Sequence, residues 1–291
     1  MTAEQAPIAA ARQPRRGWAL LGVAAVWIVV GRALHGRYTM DIGTFQDTAL
    51  SGRIGNIADV IRANRGDSPL FTYIFTPIRE AITAAVDGVR HVISLPTGNH
   101  TIPLLGWLGV LALLGLVVYA TSTLRMALVA MALLWTCGAL GMWTDTLDTL
   151  ALTIAAVLLS LAIGIPLGIW GGLSDTGLRI LTPTLDLAQI LPTLVYLAPL
   201  ALVFLIGPAS ATIATMVYCI PIAIRITAYG IRGVPTSPVE ASTSMGTTRL
   251  QLLRKVQLPM AARTLVLGVN QTTLAALSFA VVATLIGAPG L

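Results

Sequence analysis

Charge is scarce in this chain. Only 10% of its 291 residues are Asp, Glu, Lys or Arg, where an ordinary soluble domain carries roughly a quarter, so a water-soluble globular protein is excluded. Lysine is nearly absent: Lys255 is the single one among 18 cationic residues, and it lies in the run Arg254-Lys255-Val256-Gln257. A phosphate-binding loop needs its lysine between glycine and a hydroxyl residue. No such loop exists here, so any ATP chemistry belongs to a partner. Cysteine is limited to Cys137 and Cys219, both inside apolar runs, which excludes a disulfide framework or a cysteine-rich metal site. His35, His91 and His100 lack metal-ligand spacing. No catalytic residue and no metal ligand are expected. The cations stand singly between apolar runs without interleaved aromatics, so a nucleic-acid surface is excluded too.

What the chain has in abundance is apolar sequence: 56% of the residues are hydrophobic. Stretches free of charge run from Gly17 to Gly31, His91 to Leu124, Met126 to Thr144, Thr149 to Ser174, Leu187 to Ile224 and Thr264 to Leu291. A helix crossing the hydrocarbon layer needs about 20 apolar residues. The His91 run becomes a span only after Pro103, and the Leu187 run is long enough for two helices, with Gly207, Pro208, Ala209 and Ser210 as the turn between them. Seven crossings are expected in an all-α, polytopic transmembrane bundle.

Residues 1–16 read as a cytoplasmic tail and 17–34 as an anchor helix; a cleaved secretory signal is the alternative, but no small-x-small cleavage pattern follows. Counting crossings from a cytoplasmic N-terminus puts Arg125, Asp175, Arg179 and the stretch Arg225 to Arg263, with six cations and one carboxylate, on the cytoplasmic side, while Asp145 and Asp148 fall outside. Residues 35–101 form an extracytoplasmic insertion. Within it Phe71, Ile74, Ile78, Ile82, Val86, Val89 and Ile93 recur at three and four residues, with Arg79, Glu80, Thr83, Asp87, Arg90 and His91 opposite. This periodicity predicts an amphipathic helix over 70–95, either lying in the membrane interface or packed on the spans. Residues 102–146 are two peripheral transmembrane helices, and 147–291 the core.

The stretch 232–262 is too polar to cross. Ser237 as a cap, Pro238 at the first helical position and Glu240 three residues after the cap predict one helix; Gly246 ends it, and Thr248 with Gln251 starts another. Pro259 then bends the chain back toward the membrane. Two short helices joined at a glycine would lie along the cytoplasmic surface, with small residues Ala241, Ser242 and Ser244 allowing another protein to approach. An ordinary interfacial loop with well-made caps is the alternative.

Glu240-Ala241-Ser242, then Gly246, then Val256-x-Leu258-Pro259 resemble the EAA loop of ABC-importer permeases; Ser242 and Val256 depart from its third alanine and its isoleucine. From about Leu147 onward, IGIPLGIWGGLSD, LDLAQILPTLVYLAPL, IPIAIRITAYGIRGVP, KVQLPMAARTLVLGVNQT and IGAPGL are similar to the glycine betaine, proline betaine and choline permease family. The resemblance implies the type I importer fold and a multi-pass protein of the cell (cytoplasmic) membrane. It implies a homodimer fed by an external substrate-binding protein, and an ABC ATPase docked at Glu240, Ala241, Ser242, Gly246, Val256, Leu258 and Pro259. ATP and Mg²⁺ would then be bound by that ATPase and no cofactor by this chain. The family continues with a further helix beyond the position of Leu291. The implied function is import of betaine or choline-type osmolytes by alternating access; the alternatives are an importer for another small solute, or a secondary transporter or channel without an ATPase.

Polar residues inside the spans form the expected pathway. Asp186, Gln189, Thr193 and Tyr196 fall on one face of a continuous helix, and Asn270 and Gln271 give the last span a polar side. The competing role for Asp186 is an ion pair with Arg225 or Arg179, with the amides joining helices. Trp170, Tyr196 and Tyr229 are too dispersed to make an aromatic cage for a quaternary ammonium.

Overall fold

A computed structural model describes residues 15–33, 49–66, 68–94 and 105–284; the sequence readings for the N-terminal tail before Arg15, for His35, His100 and Pro103, and for the terminal IGAPGL fall outside them. Among the described residues every regular element is helical. The chain divides after Val60 into two units. The first contains α1 (Arg15–Ala33) and most of α2 (Ala49–Ala63).

The second unit contains α3 (Thr76–Ile93), α4 (Gly106–Thr121), α5 (Leu124–Ala139), α6 (Trp143–Leu173), α7 (Asp175–Ile190), α8 (Thr193–Phe204), α9 (Pro208–Arg232), α10 (Thr236–Ser244), α11 (Arg249–Leu252) and α12 (Leu258–Thr284). Among the described residues three stretches are long and apolar enough to cross a membrane alone: α6, α9 and the 35-residue Arg249–Ala283, which joins α11 to α12. The seven expected crossings are therefore not all of one kind. α4 and α5, at 16 residues each, reach about 24 Å, short of a hydrocarbon core of about 30 Å. The span expected to start at Leu187 is broken: α7 and α8 meet at a 100° bend. Pro192 is the cause, because the residue before a proline is pushed out of the helical region, and Leu191 is extended with ψ 129°. The turn that follows is also displaced. It consists of Leu205, Ile206 and Gly207, while Pro208, Ala209 and Ser210 already belong to α9, with proline at its first position.

The centre of the bundle is a seam between α6 and α9 built on glycines four residues apart. A Cβ on Gly164 would lie 2.5 Å from Ala223 Cβ, one on Gly168 would lie 2.5 Å from Thr227 Cβ and 2.8 Å from the Ile224 carbonyl, and one on Gly172 would lie 2.9 Å from Ile231 Cβ. Small residues at this spacing let two backbones approach closely, the main source of helix association where lipid removes the hydrophobic drive. α12 closes the other side of α9 through Ala276, Phe279, Ala280 and Ala283, and Phe279 stacks between Tyr196 of α8 and Tyr218 of α9.

Two π-turns, Phe71–Phe75 and Leu253–Gln257, each end two residues before a proline, Pro77 and Pro259. Proline cannot donate to the carbonyl four residues back and its ring presses on it; widening the preceding turn takes up the mismatch. At Pro259 the helix consequently runs on, so the chain is not bent back there as expected. The second short helix of the elbow is instead the first turn of a long one.

α3 packs on α6 and α9. The predicted polar face is only partly exposed: Glu80 and His91 are exposed, but Arg79, Thr83, Asp87 and Arg90 are half-buried, while on the predicted apolar face Val86 and Ile93 are buried and Ile74 and Ile78 exposed. The inward line thus runs along the boundary between the two predicted faces. Arg90 explains the rotation, because it reaches a carboxylate inside the bundle.

Candidate functional site: a cytoplasmic elbow and its ion pairs

α9 ends at Arg232, and the chain then enters the elbow. Helix α10 begins at Thr236 after Pro235, with no side-chain cap. The expected capping box of Ser237 and Glu240 is therefore not formed: Pro235, held at φ −55° and ψ 144°, sets the start early and places Ser237 inside the first turn. Gly246 has φ +77°, the left-handed conformation that suits glycine. Thr248 Oγ1 accepts from the Gln251 amide and Gln251 Oε1 accepts from the Thr248 amide, a complete capping box.

Ser242 does not offer its side chain to solvent. It is buried, its Oγ lies 2.9 Å from Thr247 Oγ1, and Thr247 Oγ1 donates to the Ser242 carbonyl at 2.8 Å, so this hydroxyl pair closes the end of α10. Glu240, Ala241, Ser237 and Ser244 are exposed; Val256 and Leu258 are half-buried and Pro259 is exposed. Met245 is 80%, Leu250 56% and Met260 46% exposed, three large apolar side chains on a largely polar elbow.

The elbow is tied to the bundle through Arg232. Its Nη1 pairs with Asp175 at 2.8 Å, and its Nε and Nη2 donate to the Gly171 carbonyl at 3.2 and 3.0 Å. One guanidinium thereby joins the end of α9 to the end of α6 and the start of α7. Sequence reasoning missed this clamp, since nothing local relates Arg232 to a carbonyl 61 residues earlier.

Asp186 pairs with Arg225 rather than Arg179, in a contact between α7 and α9. The carboxylate side chain is 48% exposed and the arginine side chain 29%, and Arg225 Nε is buried with no partner among the described residues. The bend at Pro192 separates Asp186 and Gln189 on α7 from Thr193 and Tyr196 on α8, so the four do not share a helix face. Gln189 is exposed; Tyr196 stacks on Phe279 and its hydroxyl is buried without a partner among the described residues. Asn270 and Gln271 are exposed on α12.

A second ion pair lies at the other end of α6. Arg90 Nε and Nη2 donate to Asp148 Oδ1 and Oδ2 at 2.9 and 2.8 Å, and Ser94 Oγ donates to Oδ1 at 3.3 Å. Asp148 is only 6% exposed, where the sequence reading had an outer-loop carboxylate. Bonding to Asp148 first, and its charge with that of Asp87, hold the Arg90 guanidinium above its usual pKa while burial acts the other way. Among the described residues no three His, Cys, Asp or Glu gather where they could hold a metal ion.

An exposed, capped elbow anchored by an arginine clamp to the ends of three helices is a surface on which another protein can act mechanically. Residues 164–291 match the family of binding-protein-dependent transport system inner membrane components. Curated relatives of the chain include the glycine betaine transport system permease protein OpuAB of Bacillus subtilis, 44% identical over 52% of this chain and 54% of its own length. The glycine betaine/proline betaine permease protein ProW of Escherichia coli is 40% identical over 60% of this chain and 50% of its own length. The glycine betaine/carnitine permease protein GbuB of Listeria monocytogenes is 43% identical over 56% and 57%. The chain thus spans about half the length of the curated relatives it matches. The matched inner membrane component region contains the α6–α9 glycine seam from Gly164, both ion pairs of Arg225 and Arg232, and the whole elbow.

Proposed function

We propose that this chain is the permease subunit of an ATP-driven importer for betaine or choline-type osmolytes, with the type I importer fold. A separate ATPase docks on the elbow at Glu240, Ala241, Gly246, Val256, Leu258 and Pro259, and an external binding protein delivers the solute to a pair of such chains. The observation that carries this reading is the elbow: Met245 and Leu250 are exposed on the same elbow as the exposed Glu240 and Ala241, and the relatives that share this region are named as permeases for betaines and carnitine. Apolar side chains ringed by polar ones mark surfaces that other proteins cover. Movement of the docked ATPase would reach the bundle through Arg232, which grips α6 and α7 together. The pathway is proposed to pass Asp186, Gln189, Thr193, Tyr196, Asn270 and Gln271, with the exposed amides of α12 meeting the second copy.

The test is uptake of labelled glycine betaine by proteoliposomes holding this chain with its ATPase and binding protein. Uptake requires internal ATP, and Gly246→Pro and Glu240→Lys abolish it while insertion and dimerisation persist. Proline cannot adopt φ +77°, and lysine reverses the one negative charge of the elbow. Uptake independent of ATP would make the protein a secondary transporter or channel; normal ATP-driven uptake in both variants would remove the elbow from the mechanism.

A further inference from the structure

Three departures from ordinary structure converge on one cavity of the second unit. It measures about 380 Å³ and lies between the start of α3 and the turn before α9, a volume usual for small-molecule sites. The π-turn Phe71–Phe75 forms one wall; widened turns of this kind are concentrated at functional sites. Leu205 forms another, and its φ of +67° is the one left-handed backbone among the described non-glycine residues, a strain typical of ligand clamps. The third departure is electrostatic. Arg65 and Arg79 are both half-buried in the lining, in which no described carboxylate takes part. Neither has an ion pair among the described residues, and Arg65 Nε is buried without a hydrogen-bond partner there. Glu80 and Asp87 line a separate cavity that shares only Arg79 and Leu205 with this one.

We propose that this cavity holds the phosphate of an anionic phospholipid, with phosphatidylglycerol as the representative ligand. A guanidinium pairs with phosphate oxygens through two parallel N–H bonds, and a buried N–H without an acceptor is costly until such an anion arrives. One arginine is positioned in advance: Arg65 Cζ lies 5.8 Å from the centroid of Phe71, which packs on Phe75 at 5.1 Å, and Phe75 meets Phe204 edge-on at 5.5 Å. Thr76 adds a hydroxyl to the lining. Much of the remaining lining is apolar, and on the same segment Leu70, Tyr73, Ile74 and Ile78 stand exposed. Hydrocarbon covers such a surface, so an anion that carries acyl chains is favoured over free phosphate, and the open side of the cavity gives the chains their exit. Phosphatidylcholine brings a cation toward two arginines and is disfavoured. The depth agrees with a headgroup: α9 starts at Pro208, just after Leu205, and its 25 residues put the elbow about 37 Å away, more than the hydrocarbon thickness of about 30 Å. The lipid therefore belongs to the leaflet opposite the elbow, and the site is independent of the solute transported. Arginines near a membrane surface also reach headgroups without selecting among them, but two that share one cavity with no counter-charge select by charge and by number.

The experiment is native mass spectrometry of the full chain, delipidated in dodecyl maltoside and titrated with phosphatidylglycerol or with phosphatidylcholine of the same chains. One phosphatidylglycerol per chain should be retained saturably, and phosphatidylcholine roughly 10-fold more weakly. Arg65→Gln and Arg79→Gln should each weaken retention roughly 10-fold, while Arg125→Gln, which removes an exposed cation of α5 outside the cavity, leaves it unchanged. A phosphatidylglycerol with a photoactivatable acyl chain should crosslink within residues 70–78 and not on the elbow. Inorganic phosphate at millimolar concentration should leave the lipid in place; displacement would make the cavity a site for a soluble anion and overturn the lipid assignment. Equal retention of the two lipids by the unaltered chain, a result that needs no variant to fold, would overturn the proposal. Unchanged retention in both cavity variants, an equal loss in the Arg125 variant, or crosslinks confined to the elbow would do the same.

Discussion

Removing Asp148 and Arg90 singly and together measures what the buried pair between α3 and α6 contributes. The two bonds at 2.8 and 2.9 Å form a fork with both carboxylate oxygens engaged, and the side chains are 8% and 19% exposed. Two charges about 4 Å apart attract by roughly 4 kcal/mol at an effective dielectric of 20, but desolvating both offsets most of that, so the pair as a whole adds little over an apolar replacement. Breaking it from one side is different, because a charge stays behind. Arg90→Leu leaves Asp148 with only the Ser94 hydroxyl at 3.3 Å among the described residues and should cost about 3–5 kcal/mol. Asp148→Leu leaves Arg90 with Asp87 at 3.4 Å, whose side chain is 37% exposed, and should cost less, about 2–3 kcal/mol. The double variant should return to within about 1 kcal/mol of the parent, giving a large coupling energy. Reversible unfolding in mixed micelles provides the assay, with near-ultraviolet dichroism as a check on packing. If the double variant loses the sum of the two single losses, the pair is not coupled and the account of why α3 is rotated toward α6 fails.

Gly168→Ala should destabilise the bundle by about 1–3 kcal/mol, because its new methyl meets the Ile224 carbonyl as well as Thr227 and a backbone atom cannot step aside. Gly88→Ala on α3, with open space around it, should be neutral or stabilising by up to about 1 kcal/mol; equal effects in thermal denaturation would refute the seam. Asp186→Asn should change stability by less than about 1 kcal/mol, since its ion pair is half-exposed and screened. A loss of uptake per folded transporter would then assign the charge to transport, whereas unaltered uptake would remove Asp186 from the pathway, and a stability loss well above about 1 kcal/mol would refute the screened, half-exposed pair. With Cys137 and Cys219 replaced by serine, a membrane-impermeant thiol reagent should label Thr146→Cys from outside the cell and Thr247→Cys only after permeabilisation; reversed labelling would overturn the orientation and the ATPase docking together.

The elbow was legible because its signals are local. Thr248 and Gln251 cap each other across three residues, and Gly246 needs only its own φ to end a helix. Ser237 shows the limit of such reading: several residues competed to start α10, and the rigid φ of Pro235 decided against the one with the best capping chemistry. The bend at Pro192 was also available locally, but counting charge-free residues treats proline as apolar length and so joined two helices that the backbone separates.

Non-local features had no comparable signal. Asp148 precedes a long apolar run and reads as a charge at a membrane edge until Arg90, 58 residues away, is brought beside it. The glycines at 164, 168 and 172 carried the right spacing for close packing, yet only the facing Ala223, Thr227 and Ile231 turn that spacing into a seam. The same logic governs the aromatics. Trp170, Tyr196 and Tyr229 are dispersed along the sequence and make no cage, whereas Trp107, Trp135 and Trp143 line one open pocket although no period along the chain relates them. What brings them to one pocket is that α4, α5 and α6 are joined by turns of only a few residues, which puts Trp135 and Trp143 at the same end of the bundle and leaves the arrival of Trp107 to the packing of α4 on α5.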